Sequence, residues 1–159
     1  MNPDACPFCR KLSSPDALGP DELVWRFPHS VALLGPWQFY HGYYVLASKR
    51  HARELSGLPD GERRAYLDEM CLLARAIEIA FSPHKMNHEL LGNQVEHPHW
   101  HLFPRHADDP ARLSPVWLAL DAAERDDALR RMMLTGPIDR HATIERLRQS
   151  LATLDAPHE

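Results

Sequence analysis

The sequence predicts an α+β domain, a mostly antiparallel sheet with one long helix packed on it, followed by a helical carboxy-terminal extension. Three observations carry this expectation. Short runs rich in branched and aromatic residues follow one another instead of alternating with helices, which favours antiparallel pairing over a doubly wound sheet. One stretch, residues 60–81, repeats its apolar residues with a helical period. From His106 onward the pattern is helical, punctuated by proline and glycine.

In chain order, Cys6-Pro7-Phe8-Cys9 forms a two-cysteine knuckle, and a turn-rich stretch runs from Ser13-Ser14-Pro15-Asp16 to Gly19-Pro20. Leu23-Val24-Trp25-Arg26-Phe27 reads as a strand, residues 30–34 as a second, ended by Gly35-Pro36, and residues 43–47 as a third. Asp60 is placed to cap a helix reaching Phe81, in which Tyr66, Met70, Leu73, Ile77 and Phe81 set one stripe toward the core; Ser82-Pro83 stops it. Residues 85–91 and 99–103 supply two more strands, joined through Gly92-Asn93-Gln94. Farther on, Ser114-Pro115 starts a helix and Gly136-Pro137 breaks the pattern. Ile144, Leu147, Leu151 and Leu154 then form a narrow apolar seam, which wants a partner surface in this subunit or in a second one. The chain accordingly divides into residues 1–105, the sheet domain, and residues 106–159, a helical extension packed on the same domain or at a dimer interface.

At 159 residues the chain is long enough for one well-buried core. A net charge of -4, without any Lys/Arg-rich run, argues against a nucleic-acid partner. A small anionic substrate is compatible, served by the histidines with Lys49, Arg50 and Arg105. The opening Met1-Asn2-Pro3-Asp4 lacks the regions of a signal peptide and no apolar run has membrane-spanning length, so a soluble cytoplasmic protein without a membrane partner is expected. Three cysteines, with Cys71 inside the long helix, make no disulfide framework; Cys6 and Cys9 read as a metal or redox pair.

The densest chemistry lies in His97-Pro98-His99-Trp100-His101. On a strand, alternate side chains share a face, so the three imidazoles point one way at intervals of roughly 6.6 Å while Pro98, Trp100 and Leu102 take the other. The outer two backbones are then about 13 Å apart, too far for one ion with bonds of about 2 Å to gather all three rings. Separate roles for the three are expected.

This segment resembles the signature of the histidine triad family, nucleotide hydrolases and transferases whose motif alternates three histidines with apolar residues. Gly42-Tyr43-Tyr44-Val45-Leu46-Ala47-Ser48-Lys49-Arg50-His51 resembles the family's strand ending in a Lys-Arg-His turn, residues 87–105 its polar loop leading into the triad, and Cys6-Pro7-Phe8-Cys9 the opening of its zinc-containing members. The resemblance implies a HIT-like fold, a structural zinc held by Cys6, Cys9, His51 and His97, and a homodimer, since family members commonly pair. His51 also fits as an ordinary surface residue after a basic turn. By the same resemblance His99 is the nucleophile, forming a nucleotidyl-histidine that water cleaves, with His101 as a donor to the phosphate. His101 stands where the transferase branch carries glutamine, which favours hydrolysis. Asn87, Asn93 and Gln94, with the backbone N–H groups around Gly92, are candidates to bind substrate, although the same residues suit a turn. Leu33 stands where relatives hold the ribose hydroxyls with Asp or Asn. The implied activity is hydrolysis of a nucleotide ester, anhydride or phosphoramidate, such as a dinucleoside polyphosphate. A nucleotidyltransferase or phosphorylase, or a nucleotide-binding sensor with little turnover, is the alternative.

Overall fold

The strands β1 (Leu23–Arg26), β2 (Ser30–Leu34), β3 (Tyr44–Ser48), β4 (Lys85–Glu89) and β5 (His99–Arg105) form one sheet in the order β1-β2-β3-β5-β4, with every neighbouring pair antiparallel. The computed structural model describes residues 5–14 and 18–159; residues 1–4 and the turn expected at Pro15-Asp16 lie outside the described residues. The histidine strand β5 is interior, hydrogen-bonded to β3 on one side and to β4 on the other.

Boundaries differ from expectation where tertiary contacts decide them. β4 stops at Glu89, two residues short of the predicted end, and residues 90–98 turn back over the sheet with Gly92 at φ +74°, a conformation glycine adopts without steric cost. β5 runs on to Arg105 because β4 continues to pair with it there.

The helices are α1 (Pro7–Ser13), α2 (Asp60–Phe81), α3 (Val116–Glu124), α4 (Asp127–Leu134) and α5 (Arg140–Thr153). The periodicity of a seven-residue segment is too short to reveal α1, which sequence analysis leaves as a turn; Pro7 in its first turn suits a helix start. Pro59, not Asp60, occupies the cap of α2, and Asp60 opens the helix and pairs with Arg63 at 2.8 Å. Ser82 ends it in the left-handed region at φ 48°, its N–H donating to the Glu78 carbonyl. Asp126 separates α3 from α4 by accepting from the N–H groups of Ala128 and Leu129.

Strand alternation sorts the core into two layers. Leu34, Tyr44, Leu46 and Leu102 face α2 and α5, meeting Tyr66, Leu73, Ile77 and Phe81 of one helix and Ile144, Leu147 and Leu151 of the other. Val31, Leu33, Val45 and Phe103 face the opposite way, against Val116 and Leu120 of α3 and Met133 of α4, with Phe8 and Leu12 of α1 at the margin. The seam of α5 is therefore covered by its own chain. Ile144, Leu147 and Leu151 are fully buried, each worth about 1.5–3 kcal/mol, and the seam gives no reason for a second copy.

Arg105 ties the extension to the sheet. Its buried guanidinium donates to Asp109 at 2.9 Å, to Asn87 Oδ1 at 3.1 Å and to the carbonyls of Ser114 and Ala111 at 2.8 and 2.5 Å. That network fixes residues 106–115, and with them the start of α3 above the histidine face.

Candidate functional site

Four donors converge where α1 meets the end of β3 and the loop before β5. His51 Nδ1 and His97 Nδ1 are 3.3 Å apart, Cys6 Sγ is 3.5 Å from His97 Nδ1, and Cys9 Sγ is 3.4 Å from His51 Nδ1 and 3.7 Å from His97 Nδ1. All four ligand atoms lie within 4.8 Å of one another. A tetrahedron with Zn–N bonds of about 2.05 Å and Zn–S bonds of about 2.3 Å has N–N edges of about 3.3 Å and S–N edges of about 3.6 Å, so the donor spacing fits such an ion closely. His97 Nε2–H donates to the Ser48 carbonyl at 2.8 Å. That bond fixes the tautomer and leaves Nδ1 as the atom whose lone pair could hold a metal. Burial holds His97 below the ordinary imidazole range, in the neutral form a metal needs.

Two residues along, His99 is buried, and its Nδ1–H donates to the His97 carbonyl at 2.6 Å, leaving the Nε2 lone pair free. Burial also lowers its affinity for a proton. Phe8, between the two cysteines, packs on this ring with centroids 4.7 Å apart, so the knuckle touches both the metal donors and His99. His101 follows, its ring crossing that of His99 edge-on at 4.8 Å. Its Nδ1 lies 2.7 Å from the Tyr43 hydroxyl. Burial, with His99 beside it, pushes His101 down to about 4. The three rings have different surroundings: His97 lies among the Cys6, Cys9 and His51 donors, His99 bonds to the His97 carbonyl and His101 meets Tyr43.

A cleft of about 760 Å³ opens over His99 and His101. Pro36 and Trp37 form one wall, Asn93, Gln94 and Val95 a second, and Trp117 and Leu120 of α3 a third. Trp117 stands edge-on to His101 at 5.2 Å and its indole N–H donates to Glu89, the residue opposite His101 in the β4–β5 register. Asn93 and Gln94 thus reach the cleft, whereas Asn87 lies on β4 with its side-chain oxygen given to Arg105 and is not among the lining residues. Lys49 pairs with Glu159, Arg50 with Glu62 at 2.5 Å, and Arg105 is enclosed in its own network, so none of the three basic residues named from sequence lines the cleft. Sequence reasoning missed Phe8, Tyr43, Glu89 and Trp117. For Tyr43 the signal lay in the sheet register, and for Trp117 in nothing before the chain folds back.

A sequence model of the HIT domain matches residues 18–108, more than half of the chain, and the chain belongs to the histidine triad family of nucleotide-binding hydrolases and transferases. No curated protein matches it. Among solved structures, a zinc-bound histidine triad family protein from Mycobacterium smegmatis is similar at 19% identity and a TM-score of 0.67, over 97% of this chain and 98% of that one. A histidine triad protein from Marinobacter aquaeolei VT8 is similar at 23% identity and a TM-score of 0.65, over 87% and 95%. One from Bradyrhizobium japonicum is similar at 25% identity and a TM-score of 0.56, over 70% and 89%. Among the described residues no helix is long and apolar enough to cross a membrane.

Proposed function

We propose that the protein is a zinc-containing hydrolase of nucleotide phosphoryl bonds that works through a covalent nucleotidyl-His99. The observation that carries this reading is the His99 tautomer. With Nδ1–H bonded to the His97 carbonyl, Nε2 offers a lone pair at the floor of a cleft large enough for a nucleotide. In the first step Nε2 forms a bond to the α-phosphorus while the bond from phosphorus to the leaving group breaks. The electron pair departs with that group, which takes a proton from solvent. Water then forms a new P–O bond, releases a proton to solvent, and the P–N pair returns to Nε2. His101, Asn93, Gln94 and the backbone around Gly92 supply the neutral donors for charge on the phosphoryl oxygens.

Zinc held by Cys6, Cys9, His51 and His97 anchors α1 against the sheet, and no reacting group needs it. The zinc-bound M. smegmatis relative supports this choice of ion.

The lining of the cleft favours a substrate with one phosphoryl group. Its described residues include Asp121 and Glu124 and neither lysine nor arginine. The chain of charges in a dinucleoside polyphosphate would therefore meet Glu124, and an Asp121 already paired with Arg125 at 2.5 Å, without a lysine or arginine in the cleft lining to hold it. Nucleotidyl esters and phosphoramidates carry one charge and meet correspondingly less repulsion. A hydrolysis screen over adenosine and guanosine 5′-phosphoramidates, 5′-phosphate esters and dinucleoside polyphosphates, read by product identity, tests both parts. Nucleoside monophosphate released fastest from the single-phosphoryl compounds is expected. Faster turnover of dinucleoside polyphosphates overturns the substrate class, and no turnover of any compound overturns the hydrolase.

A further inference from the structure

We propose that Tyr43 is a positioning residue that locks His101 in the Nε2–H tautomer, so that two adjacent histidines of one strand present opposite chemistry to the phosphoryl group: a lone pair from His99 and an N–H donor from His101. The proposal deepens the hydrolase reading and rests on it for its catalytic consequence.

The register brings the two residues together. Tyr44 pairs with Leu102, so Tyr43 stands opposite Phe103, on the histidine face and diagonal to His101. Its ring has little freedom. It stacks on Phe103 with centroids 4.0 Å apart and planes 9° from parallel, and its other face lies over Gly35, where an added Cβ would stand 2.2 Å from two ring carbons. Its backbone is held as well. The N–H donates to the Tyr40 carbonyl at 2.8 Å, and the carbonyl accepts from Gly35 N–H at 3.0 Å and from Gln38 Nε2 at 2.9 Å. The position of the phenol oxygen is therefore set by the sheet and not by the histidine it meets.

A buried hydroxyl must donate its proton. Among the described residues the hydrogen-bond partner of Tyr43 Oη is His101 Nδ1 at 2.7 Å. The phenol donates and Nδ1 accepts, which leaves the His101 proton on Nε2. His99 has the reverse arrangement, its Nδ1–H spent on the His97 carbonyl. The pairing also settles what His101 does with its proton. Giving it up would require Tyr43 to supply Nδ1 and become a buried phenolate, which burial and the nearby Glu89 oppose by raising the tyrosine's affinity for its proton. His101 thus acts as a hydrogen-bond donor that keeps its proton, and the leaving group takes one from solvent.

The test has a part that needs no substrate. Two-bond ¹H–¹⁵N correlation spectra of the full-length zinc-loaded protein report each histidine tautomer, and His101→Gln and His99→Asn variants assign the signals. His101 with its proton on Nε2 and His99 with its proton on Nδ1 are expected; His101 with a protonated Nδ1 overturns the proposal whatever the enzyme does. The second part is a double-mutant cycle on single-turnover formation of the nucleotidyl-enzyme from adenosine 5′-phosphoramidate. Tyr43→Phe should slow it about tenfold or more, against the 10²–10³ that removing a preorganised donor outright costs. In a His101→Gln background the same substitution should have no further effect, and equal slowing in both backgrounds overturns the lock. If wild-type protein forms no nucleotidyl-enzyme, the hydrolase reading fails and the spectra still decide the tautomer. If Tyr43→Phe does not fold, the wild-type spectra decide alone.

Discussion

His99 and His101 were legible from the sequence because strand periodicity alone puts their rings on one face, and the family resemblance then supplies their roles. His97 was legible as a candidate ligand only through that resemblance, which also brought in Cys6, Cys9 and His51, and the fold places these four donors together. What surrounds the three rings was not legible, because a partner such as Tyr43 is defined by which residues oppose one another across β3 and β5. His99→Ala should abolish turnover and leave zinc content and nucleotide affinity nearly unchanged, since its Nε2 forms a bond in the reaction and is not one of the four clustered donor atoms. Elemental analysis and equilibrium binding check the two retained properties. Acid stability has its own signature at residue scale. His41 is pushed down to about 4 by burial, with His106 and Arg146 adding to it. A histidine held below 6.5 in the fold is one the unfolded chain protonates first, so its contribution is complete above about pH 6.5 and is lost as the pH falls to about 4. His41→Gln should therefore flatten the fall in unfolding free energy over that window by up to about 1.4 kcal/mol per pH unit. An unchanged slope in denaturant titrations would contradict it.

At the scale of elements, α2 was readable because its stripe spans many turns, whereas α1 is too short for periodicity and its geometry comes from Cys6, Cys9 and their partners. The helix α3 was readable as a helix from Ser114-Pro115, yet its place over the triad depends on Arg105, whose strand position says nothing of the loop it binds. Arg105→Met leaves Asp109 buried without its cation, a change that typically costs about 3–5 kcal/mol. It should also speed amide exchange through residues 106–124 more than in α2. Equal protection in the two regions would show that α3 is held by other contacts. Trp117→Ala opens the third wall of the cleft and removes the ring that stands against His101. A fall in kcat/KM for 5′-phosphoramidates is expected, with zinc content unchanged.

Across the whole molecule, the sheet, its order of elements and the long helix follow from patterns in the sequence, while the use of the extension does not. The seam on α5 could meet its own sheet or a second copy, and only the folded chain decides, since α2 and β1 lie within reach of it. Ending the chain at Pro137 should accordingly unfold it, not merely separate subunits; a folded, stable truncated protein in thermal melts would contradict this. The homodimer remains a proposal that light scattering on the full chain settles independently of the seam. The claim on which the rest depends is the covalent step at His99. Intact-mass and peptide mass spectrometry of protein quenched during turnover of adenosine 5′-phosphoramidate tests it most directly. An adenylyl adduct on the peptide carrying His99, absent in His99→Ala, is the predicted result; product formation without such an adduct, or an adduct on a different residue, would contradict it.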